Sequence, residues 1–425
     1  MQKEEKKKFT RQQKLTIVIL ALLQFLIILD FMVLSPLGAI MMKELQITTA
    51  RFSMAVSVYA FSACAGGLVA AGFADMFDRK KLLVLFTGGF ILGTLLCAMA
   101  PNYEVLVVAR IFAGGLGGIV SSVSYAIITD LFEARQRGRA MGFFQMAFGA
   151  SQVLGIPVGL FLANRFGWHS PFWLITLCGM MIAVALVKFI PSVAGHLNEK
   201  RQRRAIQHLK DAISNPGYLR AFLSITLLTT GGFMLIPLGS AYGVHNLGLK
   251  MDELPVLYGA LGVFMIIAAP LSGKLCDSVG PFRLFVTGSV LCVILVRIYT
   301  TLGITPLWSC IAVVIALFTG VIFRQVSAGV LMSMVPETED RGAFMSLNSA
   351  FQQISGGIAS YVAGLVVTQS GNGRLEHYSD LGNIVIATMI LSVGLMYWVV
   401  LYLRARVTVT ENYFNKSVKI KEAQE

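Results

Sequence analysis

Charge is scarce in this chain. Asp, Glu, Lys and Arg make up 13% of its 425 residues, against about 25% in an ordinary soluble domain, which excludes a water-soluble globular fold. Histidine is scarcer still: His169, His196, His208, His245 and His377 are scattered, and none lies in the core of an apolar run. With no HExxH or GxSxG motif beside them, they offer no hydrolase or metal chemistry, and neither an enzyme, a cofactor nor a metal site is expected. The six cysteines lie in or beside apolar runs without CxxC spacing, so they read as small buried hydrophobes rather than disulfides or ligands. Long hydrophilic stretches are missing too. The longest, 191–220, spans about thirty residues, which leaves no room for a folded receptor or scaffold domain outside the membrane. No short apolar segment with a cleavage site follows the polar residues 1–14, so no signal peptide is read there.

What fills the chain is apolar: 56% hydrophobic residues and a mean hydropathy of +0.72. Twelve segments approach the ~20 apolar residues that a membrane span needs: 15–41, 51–72, 82–100, 105–130, 140–163, 171–190, 219–244, 255–273, 284–302, 307–334, 344–368 and 381–403. The distribution of cations tests that count. With the N-terminus inside, the inward segments hold 27 of the 35 Lys and Arg, the outward connections five and the spans three, an asymmetry that the positive-inside rule demands and a wrong count would scramble. The net charge of +13 is therefore topological signal and attraction to anionic lipid, not nucleic-acid binding. The expected architecture is an all-α membrane protein with 12 transmembrane helices in two pseudo-symmetric six-helix bundles. Residues 1–190 form the first bundle, 191–218 a linker and 219–425 the second bundle with a short tail. Within the linker, 197–213 fits either a basic amphipathic helix on the membrane surface or a solvated connection.

A short charged turn, Gly72–Lys81, separates the second and third apolar runs, and Gly273–Arg283 stands at the same place in the second half, with Asp277 answering Asp75. Such a repeat marks internal duplication. DLFEARQRGRAMG (130–142) likewise answers MVPETEDRGAFMS (334–346), Arg137-Gly138 corresponding to Arg341-Gly342. Over essentially its whole length the chain resembles the major facilitator superfamily, in its twelve-span drug:proton antiporter branch. The turn after span two resembles the family's G-x-L-x-D-x-x-G-R-[RK], with Asp75, Arg79 and Lys80 fitting and Ala71 and Asp78 departing; Gly273, Leu275, Asp277 and Gly280 match it more closely. ARIFAGGLGG (109–118) resembles the family's R-x-x-x-G-x-x-G stretch. GASQVLGIPVG (149–159) looks like the antiporter motif of span five, with Gly155, Pro157 and Gly159 in place and Ile156 inserted. The resemblance implies alternating access. It also implies a conformational latch for the outward-open state made of Gly72, Asp75, Arg79, Lys80, Asp130, Arg139, Gly273, Asp277 and Gly280, with Arg79 or Arg139 pairing Asp130. It further implies that span five limits leak during exchange. On physical grounds alone Asp75 can accept hydrogen bonds from a helix N-terminus, that of span eleven in this arrangement; the bland reading is that these charges only fix loop shape and topology.

Charge inside the bilayer is expensive and marks a pathway. Asp30 is the one clear carboxylate within a span. At ~1.5 Å per residue, Asp30 lies roughly 22 Å from the inner end of span one and Arg110 roughly 9 Å from the outer end of span four. In a core of about 30 Å those depths coincide, so the two can meet. The sharp expectation is that Asp30 carries the proton and Arg110 sets its affinity; the alternative is a permanent ion pair that lets both be buried. One carboxylate implies one proton. Arg324 in span ten has no carboxylate within the second-half spans and invites either an anionic substrate group or bonds to carbonyls. Gln145, Gln152, Asn348, Gln352 and Phe233 complete the cavity candidates, although small and polar stripes also serve helix packing. The expected function is proton-coupled efflux of a small amphipathic solute, the alternatives being proton symport or facilitated diffusion. Expected partners are a small molecule, protons and lipid, with no nucleic acid, for a monomer in a bacterial inner membrane with both termini cytoplasmic.

Overall fold

The computed structural model describes residues 9–194, 214–337, 341–371 and 373–422, and nearly all of them are helical. The helices begin where the sequence supplies caps. Thr10 and Gln13 close a capping box on α1, which runs from Arg11–Val33 through a 3-10 turn, Ser35–Leu37, into Gly38–Glu44. Thr48 caps α2 (Thr49–Phe73), Asp78 caps α3 (Arg79–Ala98) and Asn102 caps α4 (Tyr103–Leu131). In each case a side-chain oxygen accepts an otherwise orphaned backbone N–H. Helix α5 comes in three pieces, Ala134–Ala150, a π turn at Ser151–Gly155, and Ile156–Phe166; α6 is Ser170–Phe189. In the second half α7 runs Pro216–Leu235 and then Gly239–His245, followed by α8 (Leu254–Val279), α9 (Pro281–Thr301), α10 (Leu307–Met334), α11 (Arg341–Val366) and α12 (Tyr378–Glu422). Two short antiparallel strands, β1 (Thr368–Gln369) and β2 (Leu375–Glu376), join α11 to α12.

Among the described residues, ten of these rods are long and apolar enough to cross a membrane. The two that fall short, α5 and α11, cover the expected spans 140–163 and 344–368. Helix α5 comes in pieces of 17, 5 and 11 residues, and α11 carries Asn348, Gln352 and Gln353. The expected amphipathic segment 197–213 lies outside the described residues, as do the side chains of Arg137, Gly138, Arg341 and Gly342.

Packing follows small residues. Helices α2 and α4 cross so closely that a Cβ on Gly118 would fall on the Ala63 carbonyl oxygen, and one on Gly66 on that of Gly115. Helices α1, α3, α5 and α6 complete the first group, while α7 to α12 pack among themselves. Between the groups, α2 meets α11, α5 meets α8, and the far end of α1 meets that of α7. The cores report how far this contact extends. One apolar core is common to both groups on the side away from the termini, where Val33, Leu37, Phe52 and Leu160 pack with Leu238, Tyr242, Leu261 and Ala363. On the terminal side the cores are separate, one around Leu20, Leu83, Ile127 and Phe144 and another around Phe222, Phe285, Leu331 and Phe344. Among the described residues, the two halves are therefore welded at the far side and parted at the terminal side.

Candidate transport site

Asp30 and Arg110 meet. Arg110 Nη1 donates to Asp30 Oδ2 at 3.2 Å and to the Asp30 carbonyl oxygen at 2.8 Å, and both side chains are wholly buried. The α2–α4 crossing sets this up: with no side chains on Gly114 and Gly117, α4 lies against Tyr59 of α2 and Ile27 of α1, close to Asp30. Tyr59 of α2 lies beneath the guanidinium, whose carbon stands 4.1 Å from the ring centroid, and its hydroxyl donates to the Ile27 carbonyl. Among the described residues Asp30 Oδ1 and Arg110 Nε and Nη2 have no hydrogen-bond partner, so the pair is charge-balanced but incompletely bonded. Sequence reasoning found both ions and missed Tyr59; a phenol in an apolar run needs a partner and was the available signal.

The aromatic contact continues toward the second half. Phe31, next to Asp30, stacks on Tyr59 at 5.4 Å and on Phe233 of α7 at 5.9 Å. Phe233 in turn lies over Gly356 of α11, where a Cβ would stand 3.2 Å from the ring. Asn348, Gln352 and Gly356 recur at four-residue spacing and share one face of α11. Asn348 is buried with Oδ1 unpartnered among the described residues, and Gln352 is half-buried. Gln152 points its amide at Met32 Sδ, 3.7 Å away. The side chain of Gln145 lies outside the described residues. Arg324 is not brought to this site. It is buried within the second half, donating to Ser392 of α12 at 2.9 Å and lying 5.6 Å from the Phe285 ring of α9.

Helix α5 breaks beside Asp30. Pro157 lacks the N–H that would bond back into the preceding turn, and the helix widens into a π turn just before it. Gly155 and Gly159 let the break lie against α1: their Cβ atoms would stand 2.5 Å from Leu29 Cδ1 and 2.7 Å from Val33 Cγ2. We expect Gly155→Leu and Gly159→Leu to push α1 aside, at about 1–3 kcal/mol of overpacking, and to open a solute-independent proton leak in reconstituted vesicles. Tight vesicles with unchanged coupling would show that the break only bends α5.

At the terminal side Arg79 Nε lies 3.0 Å from Asp130 Oδ2. Arg139 stands over the Phe9 ring at 4.2 Å, and Lys80 contributes its backbone N–H to Asp78. The surroundings of Gly72 and the side chain of Asp75 lie outside the described residues. Asp78, a departure from the family pattern, holds the turn together. Its carboxylate accepts from Lys80 N at 2.9 Å, Ser192 Oγ at 2.6 Å and Val193 N at 3.1 Å, and Arg79 N donates to the Val193 carbonyl at 3.2 Å. The start of the linker is thus stitched to the turn. Asp just before a helical run is an N-cap signal, and it was legible. Burial alone would raise the Asp78 pKa, but the bonds from Ser192, Val193 and Lys80, with the charge of Lys81, bring it below the ordinary carboxylate value. A depressed folded pKa stabilises above the unfolded value and is lost as pH falls through the folded one. Asp78→Ala is expected to lower the Tm by the equivalent of ~1 kcal/mol for the cap, with the difference full above about pH 5 and shrinking below about pH 4. A pH-independent difference would exclude the charge.

The second copy of the turn differs from its expected form. Gly273–Val279 is still helix, Asp277 is exposed on it, and the chain turns only at Gly280, whose φ of +96° favours glycine. The helix runs through Pro270 and Gly273 and ends only at Gly280, whereas a 3-10 turn at Ala74–Met76 ends α2 in the first copy.

A duplicated-looking helical bundle, welded at one side and holding one buried ion pair, has the form of a membrane carrier. Residues 20–360 match the family model described as Major Facilitator Superfamily, and the chain belongs to that family of transporters. An uncharacterized MFS-type transporter of Bacillus subtilis (strain 168), YceJ, is 24% identical over 374 residues, spanning 87% of this chain and 93% of its own. Multidrug resistance protein 2 of the same organism is 24% identical over 297 residues, 67% of this chain and 74% of its own. Among solved structures, a bacterial homologue of the human lysosomal transporter Spinster, inward-facing and unoccupied, superimposes with a TM-score of 0.70 at 15% identity, covering 93% of this chain and 97% of that one. The protein is thus a multi-pass membrane transporter for a small molecule and not an enzyme.

Proposed function

We propose that the protein exports a small amphipathic or drug-like solute in exchange for protons, with Asp30 as the proton carrier. The observation that carries this reading is the Asp30–Arg110 pair, wholly buried beside a half-buried aromatic face. A carboxylate held against a cation in a dry site keeps its charge only while that cation stays in place; a rearrangement that wets or separates the pair changes its proton affinity. Residues 1–190 and 219–425 act as the two bundles that rock about this site, joined by 191–218, with the termini at the cytoplasmic face of a bacterial inner membrane and the chain working as a monomer. The far-side weld then corresponds to the inward-open, deprotonated form, in which Phe233, Gln352 and Asn348 face the arriving solute. The likeness to a multidrug resistance protein supports export.

Proton movement in reconstituted vesicles tests the reading. Adding solutes from a panel of amphipathic amines and neutral aromatics to vesicles holding a proton gradient is expected to dissipate that gradient for some solutes. Counterflow that proceeds without any proton signal would make the protein a facilitator, and solute accumulation driven by an inward proton gradient would make it a symporter.

A further inference from the structure

Three contacts among the described residues mark the far-side seam between α1 and α7. Ser240 donates to the Ser35 carbonyl at 3.2 Å, Gly38 lies where a Cβ would stand 3.3 Å from the Pro237 carbonyl oxygen, and Phe31 stacks on Phe233. The ring contact is the one nearest the parted side, and it sits one residue from Asp30. It is also the end of a continuous series: the Arg110 guanidinium on the Tyr59 ring at 4.1 Å, Tyr59 on Phe31 at 5.4 Å, and Phe31 on Phe233 at 5.9 Å. The first three members belong to the N-terminal half and the fourth to the other, so the series crosses the seam. Gly356 lets Phe233 rest on the α11 backbone, and Ser360 of α11 donates to the Phe233 carbonyl at 3.5 Å. The ring is therefore seated on the second half and is not a free flap.

The titratable and charged groups around Asp30 are Arg110 of α4, Tyr59 of α2 and Cys97 of α3. Helices α5 and α6 approach α1 near it through Gly155, Gly159 and Gly179, which carry no titratable side chain, and α7 approaches it with Phe233. Protonating Asp30 thus removes the one carboxylate that neutralises Arg110. A buried cation without a counter-charge is costly; rearrangement that admits water relieves it, and Tyr59 lies directly upon the ion that must move, with Phe31 stacked on Tyr59.

We propose that the Phe31–Phe233 contact transmits the protonation state of Asp30 to the seam between the halves, Phe31 and Phe233 acting as positioning residues. The inference rests on the proton-carrier reading above. While Asp30 is charged, Arg110 pins Tyr59, Tyr59 aligns Phe31, and the ring stack holds the far side shut. When Asp30 takes a proton the series loosens, the rings part and the far-side seam opens. A solute whose own ring slides onto Phe233 would loosen the same contact, so solute and proton would unlock one element from two sides.

The test reads the seam directly. Ser240→Cys, a nearly isosteric change, places a thiol in the far-side seam; its labelling rate by a membrane-impermeant maleimide is measured above the background of the parent protein in oriented vesicles and divided, at each pH, by the rate for a free cysteine peptide, because only the thiolate reacts, and labelling below means this ratio. In the otherwise wild-type protein labelling is expected to rise on the order of tenfold from about pH 8 to about pH 5, a shift equivalent to ~1.4 kcal/mol. With Asp30→Asn added, labelling should become independent of pH. With Phe233→Ala added, it should be high and nearly pH-independent, and Phe233→Tyr, which keeps the ring, should restore the pH response. Phe233→Ala that follows the wild-type pH curve would overturn the inference while leaving Asp30 as proton carrier intact. Wild-type labelling that ignores pH would overturn both. Failure of Phe233→Tyr to restore the response, in a protein that folds and labels normally, would show that packing volume and not the ring carries the effect, which also overturns it.

Discussion

Asp30→Asn is expected to abolish solute-driven proton movement and to cost about 3–5 kcal/mol of stability, because Arg110 then stays buried without a counter-charge. The mirror change, Arg110→Met, is expected to cost a similar amount by orphaning the carboxylate. Neither figure is the net worth of the pair. Oδ1 of Asp30 and two nitrogens of Arg110 have no hydrogen-bond partner among the described residues, so desolvation of the ions is only partly offset by their contact. An apolar double replacement, Asp30→Leu with Arg110→Met, is therefore expected to be at least as stable as the wild type in detergent thermal unfolding and yet to couple nothing. That combination separates function from folding: a pair kept for stability would make the double variant the worst of the three. If the double variant is no more stable than either single one, the two ions do not depend on each other. If Asp30→Asn still moves protons, the carrier lies elsewhere.

The second large effect is steric. Gly118→Ala adds one methyl group where the Ala63 backbone carbonyl already stands, and Ala63 C and Cα would lie 2.7 and 2.8 Å from it. Backbone cannot rotate away as a side chain would, so α2 and α4 must separate, at about 1–3 kcal/mol or more. Arg110 rides on the same α4, and its separation from Asp30 should grow, so coupling is expected to fall along with Tm. Gly88→Ala is the control of opposite sign: nothing lies within 4 Å of its Cβ position in α3, and replacing a helical glycine by alanine there should raise stability by about 0.5–1 kcal/mol. Thermal unfolding of the two variants side by side decides the matter, and equal shifts would remove the claim that the α2–α4 crossing is set by glycine.

Much of the fold was written in the chain. Apolar run length, the placement of Lys and Arg, and the repeated turn are one-dimensional signals, because the bilayer sets a fixed thickness and an inside that attracts cations. The expected α8–α9 turn shows where such reading stops. Its motif residues answer those of the first copy, yet Asp277 lies on a helix that persists through Pro270 and Gly273 to Val279, because tertiary context overrides the weak helix propensity of single residues. At α5 and α11 the signal weakened for a different reason: Gln145, Gln152, Asn348, Gln352 and Gln353 fall in these runs, and amides lower the hydropathy of an otherwise apolar helix.

The sequence by itself determined a helical multi-span membrane protein with one deep carboxylate, because composition, period and topology are imposed by the lipid on every residue, and its motifs carried the resemblance to the Major Facilitator Superfamily. Only the tertiary structure decided that Asp30 is closed by Arg110 over the Tyr59 ring, that Phe31 reaches across to Phe233, and that Asp78 grips the start of the linker. Those contacts join residues tens to hundreds of positions apart. They depend on how closely glycine lets two backbones approach, a distance that no local pattern encodes.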